Sequence, residues 1–544
     1  MEHLNIDGRF FTNMVIHASN KLEENKDYVN YLNVFPVPDG DTGTNMSMTF
    51  RCAALEISNY KGNSLGEVSK ILAKGALMGA RGNSGVILSQ IFRGIAKGFE
   101  NKDTATTSEF GNALLEGSKS AYKAVMRPTE GTILTIIRAC GETAVKSESN
   151  DVVSLLKEVC AFGEETLNRT PELLPALKKA KVVDAGGMGL MIILKAMLEA
   201  IENNIEAKLI DERAEKTHTA EPMSAGTQED IKFGYCTEFF IKGQGIDSDR
   251  FKADIEKHGD SMVVVALDEI VKVHIHTNDP GLILSKALKL GQLSKIKIDN
   301  MREQHQHLIM KDSVETEVEA VEDEEIKPYG FIAVAMGEGI TQIFEDLGVD
   351  YVIEGGQTMN PSTQDILQAI NKLKCETVFV LPNNKNIIMA ATQASELAQK
   401  KVFVIPSKTI PQGITALTAF NPEIDSESNF DAMKEVLGTV KSGSVTFAVR
   451  DTEADGKEIK QNDFLGLIEG KIVEVGQELY NVTENVIKSM VDDESGLITI
   501  FYGEDCNAEE VEKLTKKLES NYQDIDVQCY KGNQPLYYFI ISVE

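Results

Sequence analysis

The stretch Pro38-Asp39-Gly40-Asp41-Thr42-Gly43-Thr44-Asn45-Met46 sets two carboxylates at positions i and i+2, separated only by glycine. On an extended backbone alternate side chains point to one face, so Asp39 and Asp41 converge. Like charges held that close repel unless a cation lies between them. Mg²⁺ suits such a pair, because it takes hard oxygen ligands and shares its shell with substrate phosphates. Read alone, the segment is equally a turn, since Pro-Asp-Gly is ordinary loop chemistry. The surrounding third of the chain weighs between the two.

Three more glycine breaks occur there. Gly79-Ala80-Arg81-Gly82-Asn83-Ser84-Gly85 leads into an apolar helix from Val86. A glycine loop at a helix N-terminus aims free N–H groups and the positive end of the helix dipole at an anion. Asn83 or Ser84 is alternatively a simple N-cap. The Gly-Lys-Ser/Thr ending of a P-loop is missing, so this is not that fold. Arg127-Pro128-Thr129-Glu130-Gly131-Thr132-Ile133-Leu134-Thr135 and Val182-Val183-Asp184-Ala185-Gly186-Gly187-Met188-Gly189 also precede helices. Singly, each reads as an inter-helix loop. Four of them in one helical region, one carrying a dicarboxylate, read jointly as a nucleotide site.

The 544 residues suggest about three domains. With 84 Asp+Glu against 55 Lys+Arg, the formal net charge of −29 makes nucleic acid or an anionic membrane a poor partner. A bound phosphate then needs local positive charge, which a divalent metal supplies. Cysteines 52, 140, 160, 236, 375, 506 and 529 show no paired spacing, as suits a reducing cytosol. No secretory run opens the chain and no apolar segment is long enough to span a bilayer, so a cytoplasmic protein is expected.

Residues 1–204 read as helical, with Leu65, Val68, Ile71 and Leu72, then Ile87, Ile91 and Ile95, at helical spacing. Residues 205–230 lose that pattern and read as a linker. From 231 to 310 the period becomes two, with strands expected at Tyr235–Ile241, Met262–Leu267 and Ile270–His276 and a turn at Asp268-Glu269. Acidic residues crowd 311–327, which favours a solvated linker. From 328 to 544 an α/β region is expected: strands and helices alternate from Pro328 through Val402–Ile405, the rhythm of a parallel sheet, and the tail from about Ser444 adds more strands and a helix near Glu509–Leu518.

On the strand Ile270–His276, Lys272, His274 and His276 share one parity. Two imidazoles at i and i+2 are able to share zinc, with Cys236 on a nearby strand as a thiolate ligand. The alternative is the ordinary polar face of an edge strand. Glu238 is a weaker candidate on the same face as Cys236, and His305 and His307 read as helix surface. In the last region, Gly355-Gly356-Gln357-Thr358, Asn383-Asn384-Lys385-Asn386 and the turn at 407–413 lie at strand ends, the edge where parallel sheets hold ligands. They are equally well sharp turns and N-caps.

Asp39-Gly40-Asp41-x-Gly43-x-Asn45-Met46, the 79–85 loop, Gly131-Thr132-x-Leu134 and Asp184-x-Gly186 resemble, in that order, the nucleotide-binding domain of dihydroxyacetone kinases. The wider match is to the kinase component of the bacterial fatty acid kinase family. It is carried by Asn33 to Asp41, Gly79 to Gln90, Lys272-Val273-His274-Ile275-His276-Thr277 and Gly355-Gly356-Gln357-Thr358-Met359-Asn360-Pro361-Ser362, and it covers essentially the whole chain. The resemblance implies a multidomain fold: an all-α helical barrel, then an α/β middle domain, then an α/β C-terminal domain like the DegV-type lipid-binding proteins. It implies ATP held through Mg²⁺ on Asp39 and Asp41. Thr42, Thr44, Asn45, Met46, Gly82, Asn83, Ser84, Gly85, Gly131, Thr132, Asp184 and Gly186 would line the nucleotide. Zinc on Cys236, His274 and His276 is implied for the middle domain, with His276 counted among the catalytic residues. A fatty-acid-carrying, DegV-like partner and a homodimer are implied as well. One departure stands out: the dihydroxyacetone kinase pattern has a third aspartate five residues before the pair, where this chain has Val34, flanked by Asn33.

The activity so implied is phosphoryl transfer from ATP to a fatty acid carboxylate, giving an acyl phosphate for phospholipid synthesis. A dihydroxyacetone-type small-molecule kinase is the competing enzyme, although nothing here supplies that family's covalent histidine partner domain. A nucleotide-sensing scaffold is the non-enzymatic alternative.

Overall fold

Capping residues punctuate the first third of the chain into helices. Asp7 accepts the Phe10 N–H at the start of α1 (Gly8–Glu24), and α2 (Lys26–Leu32) follows directly. Next come α3 (Thr42–Ser58), α4 (Leu65–Gly79) and α5 (Gly82–Gly98). A capping box between Thr106 and Glu109 opens α6 (Thr107–Ala124). Two short strands, β1 (Asn5–Asp7) and β2 (Thr104–Thr106), pair antiparallel just ahead of α1 and α6. Then follow α7 (Ile133–Lys146), α8 (Val152–Asn168), the short α9 (Thr170–Leu173) and α10 (Pro175–Ala180), and α11 (Ala185–Glu202). This computed structural model describes residues 3–34, 40–125, 127–210, 235–243, 246, 248–267, 270–300, 326–356, 359–448, 451–454 and 456–544. The Asp268-Glu269 turn and His305 and His307 lie outside them.

The apolar stripes of these helices close on one core. Phe50 stacks on Phe92 with ring centroids 5.0 Å apart, and Phe11 meets Phe99 edge-on at 5.7 Å. Residues 205–210, expected to begin a linker, lie along the helical domain instead. Asn20 ties them down, donating to the Lys208 carbonyl at 2.8 Å and accepting the Ile210 N–H at 3.1 Å. A side-chain amide that meets both a carbonyl and an N–H acts as a short strand partner, a role that hydrophobic periodicity does not register.

Residues 1–216 and 326–544 form one compact unit, and residues 217–325 form a second. The second unit carries an antiparallel sheet in the order β4-β5-β3-β6, made of β3 (Tyr235–Lys242), β4 (Gly259–Leu267), β5 (Ile270–Thr277) and β6 (Gln292–Asn300). Its core joins Phe239, Ile241, Val271, Val273 and Ile275 to Phe251, Ile255 and Ile283 of two helices.

Within the first unit, the C-terminal region carries two larger sheets and a two-stranded antiparallel pair, Thr452–Ala454 with Lys457–Ile459. The first is parallel, in the order β10-β9-β7-β8, from β7 (Lys327–Ala335), β8 (Tyr351–Glu354), β9 (Cys375–Leu381) and β10 (Lys401–Val404). Helices Thr363–Lys372 and Lys385–Leu397 cover one face, and their core takes in Ala80 and Val86 from the helical domain. The second sheet has six strands, all from the tail. It is antiparallel except where Leu497–Tyr502 runs beside Asp526–Lys531. Helix Ala508–Asn521 makes that one crossover, and the remaining neighbours form antiparallel pairs. Among the described residues, no helix is long and apolar enough to cross a membrane.

Candidate active site

The acidic segment runs straight into α3. Asp39 lies outside the described residues, Gly40 turns with φ 65°, and Asp41 is buried as the N-cap of the helix. Side chains of α2 and of its C-cap fix the next two threonines. Asn33 accepts from the Thr42 N–H at 3.2 Å and from its hydroxyl. Asn30 accepts the Thr44 N–H at 3.0 Å and donates to its hydroxyl at 3.0 Å. So Asn33, next to the position where the third aspartate is missing, commits its oxygen to holding the start of α3. Ser47, one turn on, donates to Glu23 of α1.

The first turn of α5 lies directly on the first turn of α3. Gly82 has φ 55°, and a Cβ there would stand 2.4 Å from Asn45 Nδ2. A Cβ on Gly85 would stand 2.3 Å from Thr49 Oγ1. Only glycine allows either approach. Ser84 Oγ comes within 3.4 Å of Thr42 Oγ1, so the first two loops meet. Met46 is fully buried in the helical core, where its sulfur would lie 2.8 Å from a Cβ on Gly189 of α11. Its side chain therefore packs the site from behind.

The third and fourth loops are held together by Asp184. Its carboxylate accepts the Gly187 N–H at 2.7 Å and the N–H of Ile133, binding the starts of α11 and α7 to each other. Burial pushes this carboxyl up to about 6 against the pull of those two N–H groups. Gly131, with φ 83°, donates its N–H to Thr135 Oγ1 at 2.8 Å. Glu130 takes a bidentate pair from Arg138, both distances 2.8 Å. Thr132 caps α7, and its hydroxyl donates to the Thr129 carbonyl at 2.7 Å. Gly186 sits in the first turn of α11, where a Cβ would meet Ile133 at 3.2 Å.

The parallel sheet brings a part of the site that sequence reading missed. The loops after β8 and β9, at the carboxyl edge of the sheet, abut the first two glycine loops. Asn360 donates from Nδ2 to Asp41 Oδ2 at 2.7 Å and lies 3.4 Å from Asn45 Oδ1. Arg81 donates to the Asn360 carbonyl at 3.0 Å and pairs loosely with Asp365 at 3.5 Å. Thr363 N–H reaches the Ala80 carbonyl at 3.1 Å, and Asn83 donates to Asn386 Oδ1 at 3.1 Å. Asn360 is 319 residues from Asp41 in sequence, so no local spacing marks the pair.

Asp41 and Asn45 present oxygen here, and oxygen donors fit a hard divalent cation better than a soft one. No group of three or more His, Cys, Asp or Glu able to hold a metal occurs among the described residues. In the second unit, the β3–β5 register sets Cys236 opposite His276 and Glu238 opposite His274. Val271, Val273 and Ile275 occupy the alternate, buried positions. The side chains of Cys236, His274 and His276 are outside the described set.

Three family models match successive parts of this chain. The DAK2 domain model matches residues 36–199, the FakA-like fatty acid kinase middle-domain model 232–308, and the FakA-like C-terminal model 330–544. The helical domain is thus of the class found in dihydroxyacetone-type kinases. The chain belongs to the FakA-like fatty acid kinase family, and so to a fatty acid kinase system. It is 44% identical over 99% of both chains to Protein YloV of Bacillus subtilis (strain 168), and 42% identical over 99% of both to an uncharacterized protein of Staphylococcus haemolyticus. Among solved structures, the dihydroxyacetone kinase of C. freundii aligns at TM-score 0.30 and 11% identity, over 45% of this chain and 56% of that one. The Streptococcus pneumoniae fatty acid kinase B3 protein loaded with linoleic acid aligns at TM-score 0.29 and 11% identity, over 40% and 99%.

Proposed function

We propose that this chain is the ATP-dependent phosphotransferase of a two-protein system, phosphorylating the carboxylate of a fatty acid presented by a separate DegV-like carrier. The supporting observation is a buried Asp41 at a helix start where two glycine loops meet, within a chain of a kinase family. Asp39 and Asp41 would hold Mg²⁺, which supplies the positive charge that shields ATP phosphates from attack-blocking repulsion. Ser84 and the N–H groups of residues 82–84 face the phosphates in this reading, while the Gly85 N–H is bonded to the Arg81 carbonyl. The helix starts at Thr132 and at 184–189 border the nucleotide. Asp184 holds those two helix starts in register. The acceptor carboxylate is already ionised at neutral pH, so the site needs no general base. Domain limits near 204, 231, 310 and 328, a cytoplasmic location and a homodimer belong to the same reading.

The test is acyl phosphate formation. The purified chain with Mg²⁺ and ATP is expected to make hydroxylamine-trappable acyl phosphate only when a fatty-acid-loaded carrier is present. Turnover with dihydroxyacetone instead would replace the fatty acid reading by the small-molecule one. ATP binding without any turnover would favour the sensor.

For the second unit we propose zinc on Cys236, His274 and His276, supported by the register that pairs Cys236 with His276. Metal analysis of the purified protein is expected to find zinc that His276→Ala removes. Equal metal content in both proteins would leave only a polar strand face.

A further inference from the structure

We infer that the C-terminal α/β region completes the cation site, with Asn360 Oδ1 as the oxygen it contributes; this deepens the proposed kinase reading and rests on it. Asn360 is 2% exposed. Its amide nitrogen is committed to Asp41 at 2.7 Å, yet its amide oxygen is buried with no hydrogen-bond partner among the described residues. A buried acceptor with no donor is a standing cost, which a bound ion, ligand or water relieves. Covalent geometry keeps the two ends of one carboxamide together, so the unmet oxygen lies beside the Asp41 carboxylate. A neutral carboxamide and a carboxylate are both ordinary ligands of hard divalent cations.

The loop that carries Asn360 is anchored, which makes it a fixed part of the site. Arg81 holds the Asn360 carbonyl, and the Thr363 N–H holds the Ala80 carbonyl at the start of the second glycine loop. Ser362 and Asp365 close a capping box immediately after it. The backbone at Asn360 and just after it is thereby tied, either to the phosphate-facing loop or to its own helix. Binding of the cation would satisfy the side-chain oxygen of Asn360 that packing leaves unmet, and would thus strengthen the joint between the helical and α/β parts.

The full-length protein, free of ATP and carrier, is titrated with Mn²⁺ and free ion is read by electron paramagnetic resonance. Asn360→Ala is expected to weaken Mn²⁺ binding by about 10- to 100-fold, the range seen when groups supporting a metal site are removed. Asn360→Asp keeps the oxygen and adds charge beside Asp41. It is expected to melt lower than the parent without metal, and to gain more than the parent on adding MgCl₂. Asp41→Asn serves as the control for the underlying reading. If Asp41→Asn loses Mn²⁺ while both Asn360 variants bind as the parent does, the assignment to Asn360 is overturned and the kinase reading stands. If Asp41→Asn also binds as the parent does, both fall together.

Discussion

Asp41→Asn is expected to lower ATP-dependent turnover by about 1,000-fold or more while leaving the protein folded. The side chain keeps its shape, so the contact with the Asn360 amide at the head of α3 changes little. What disappears is one of the two negative charges proposed to hold the cation. Metal neutralisation of transferring phosphates contributes several kcal/mol to such reactions, and about 1.4 kcal/mol is a tenfold change in rate. Asp41 is 7% exposed and accepts from Asn360, a contact that an asparagine carbonyl oxygen retains. The variant should therefore remain folded in metal-free buffer. Steady-state turnover at saturating Mg²⁺ and ATP is the measurement. Activity above about one tenth of the parent's would remove Asp41 from the cation site.

Asp184 gives the second large effect, this time in stability. Its carboxyl is raised from an ordinary 3.8 to about 6 by burial, so the folded state holds the proton more tightly than the unfolded chain. Between those two values the folded protein carries more bound protons, and stability falls as pH rises. Above about 6 both states are ionised and the loss is complete. Two units correspond to about 3 kcal/mol, an upper figure for one group. Asp184→Asn removes this titration. The difference in unfolding free energy between parent and variant should thus shift by about 2–3 kcal/mol in the variant's favour from pH 4 to pH 6.5. Urea melts at a series of pH values would show it. A difference that stays flat across that window would mean the Asp184 carboxyl titrates normally.

How legible the site was depended on whether its determinants were local. The four loops were visible because glycine at a helix start has few reasons to be there. Gly82 and Gly85 now supply the reason, since a Cβ at either would strike Asn45 or Thr49. Alternation along β5 likewise set Lys272, His274 and His276 apart from the intervening Val271, Val273 and Ile275, which are buried. Asn30 and Glu23 were invisible, because polar residues on a helix give no sign that they will reach a neighbouring helix start. The six-stranded sheet was half hidden for a different reason. Its strands pair across long separations, as Lys441–Phe447 does with Phe539–Val543, and short apolar runs do not declare their direction. Asn360 stood in a motif that carried the family resemblance, but its partner Asp41 could be found only in three dimensions.

The parallel sheet has a further consequence. In open α/β folds the crevice beyond the strand ends is the usual berth for a small guest. Here the loops after β8 and β9 at that place grip another part of the same polypeptide through Asn360 and Asn386. At those two strand ends the berth is already filled from within, by the start of the chain itself.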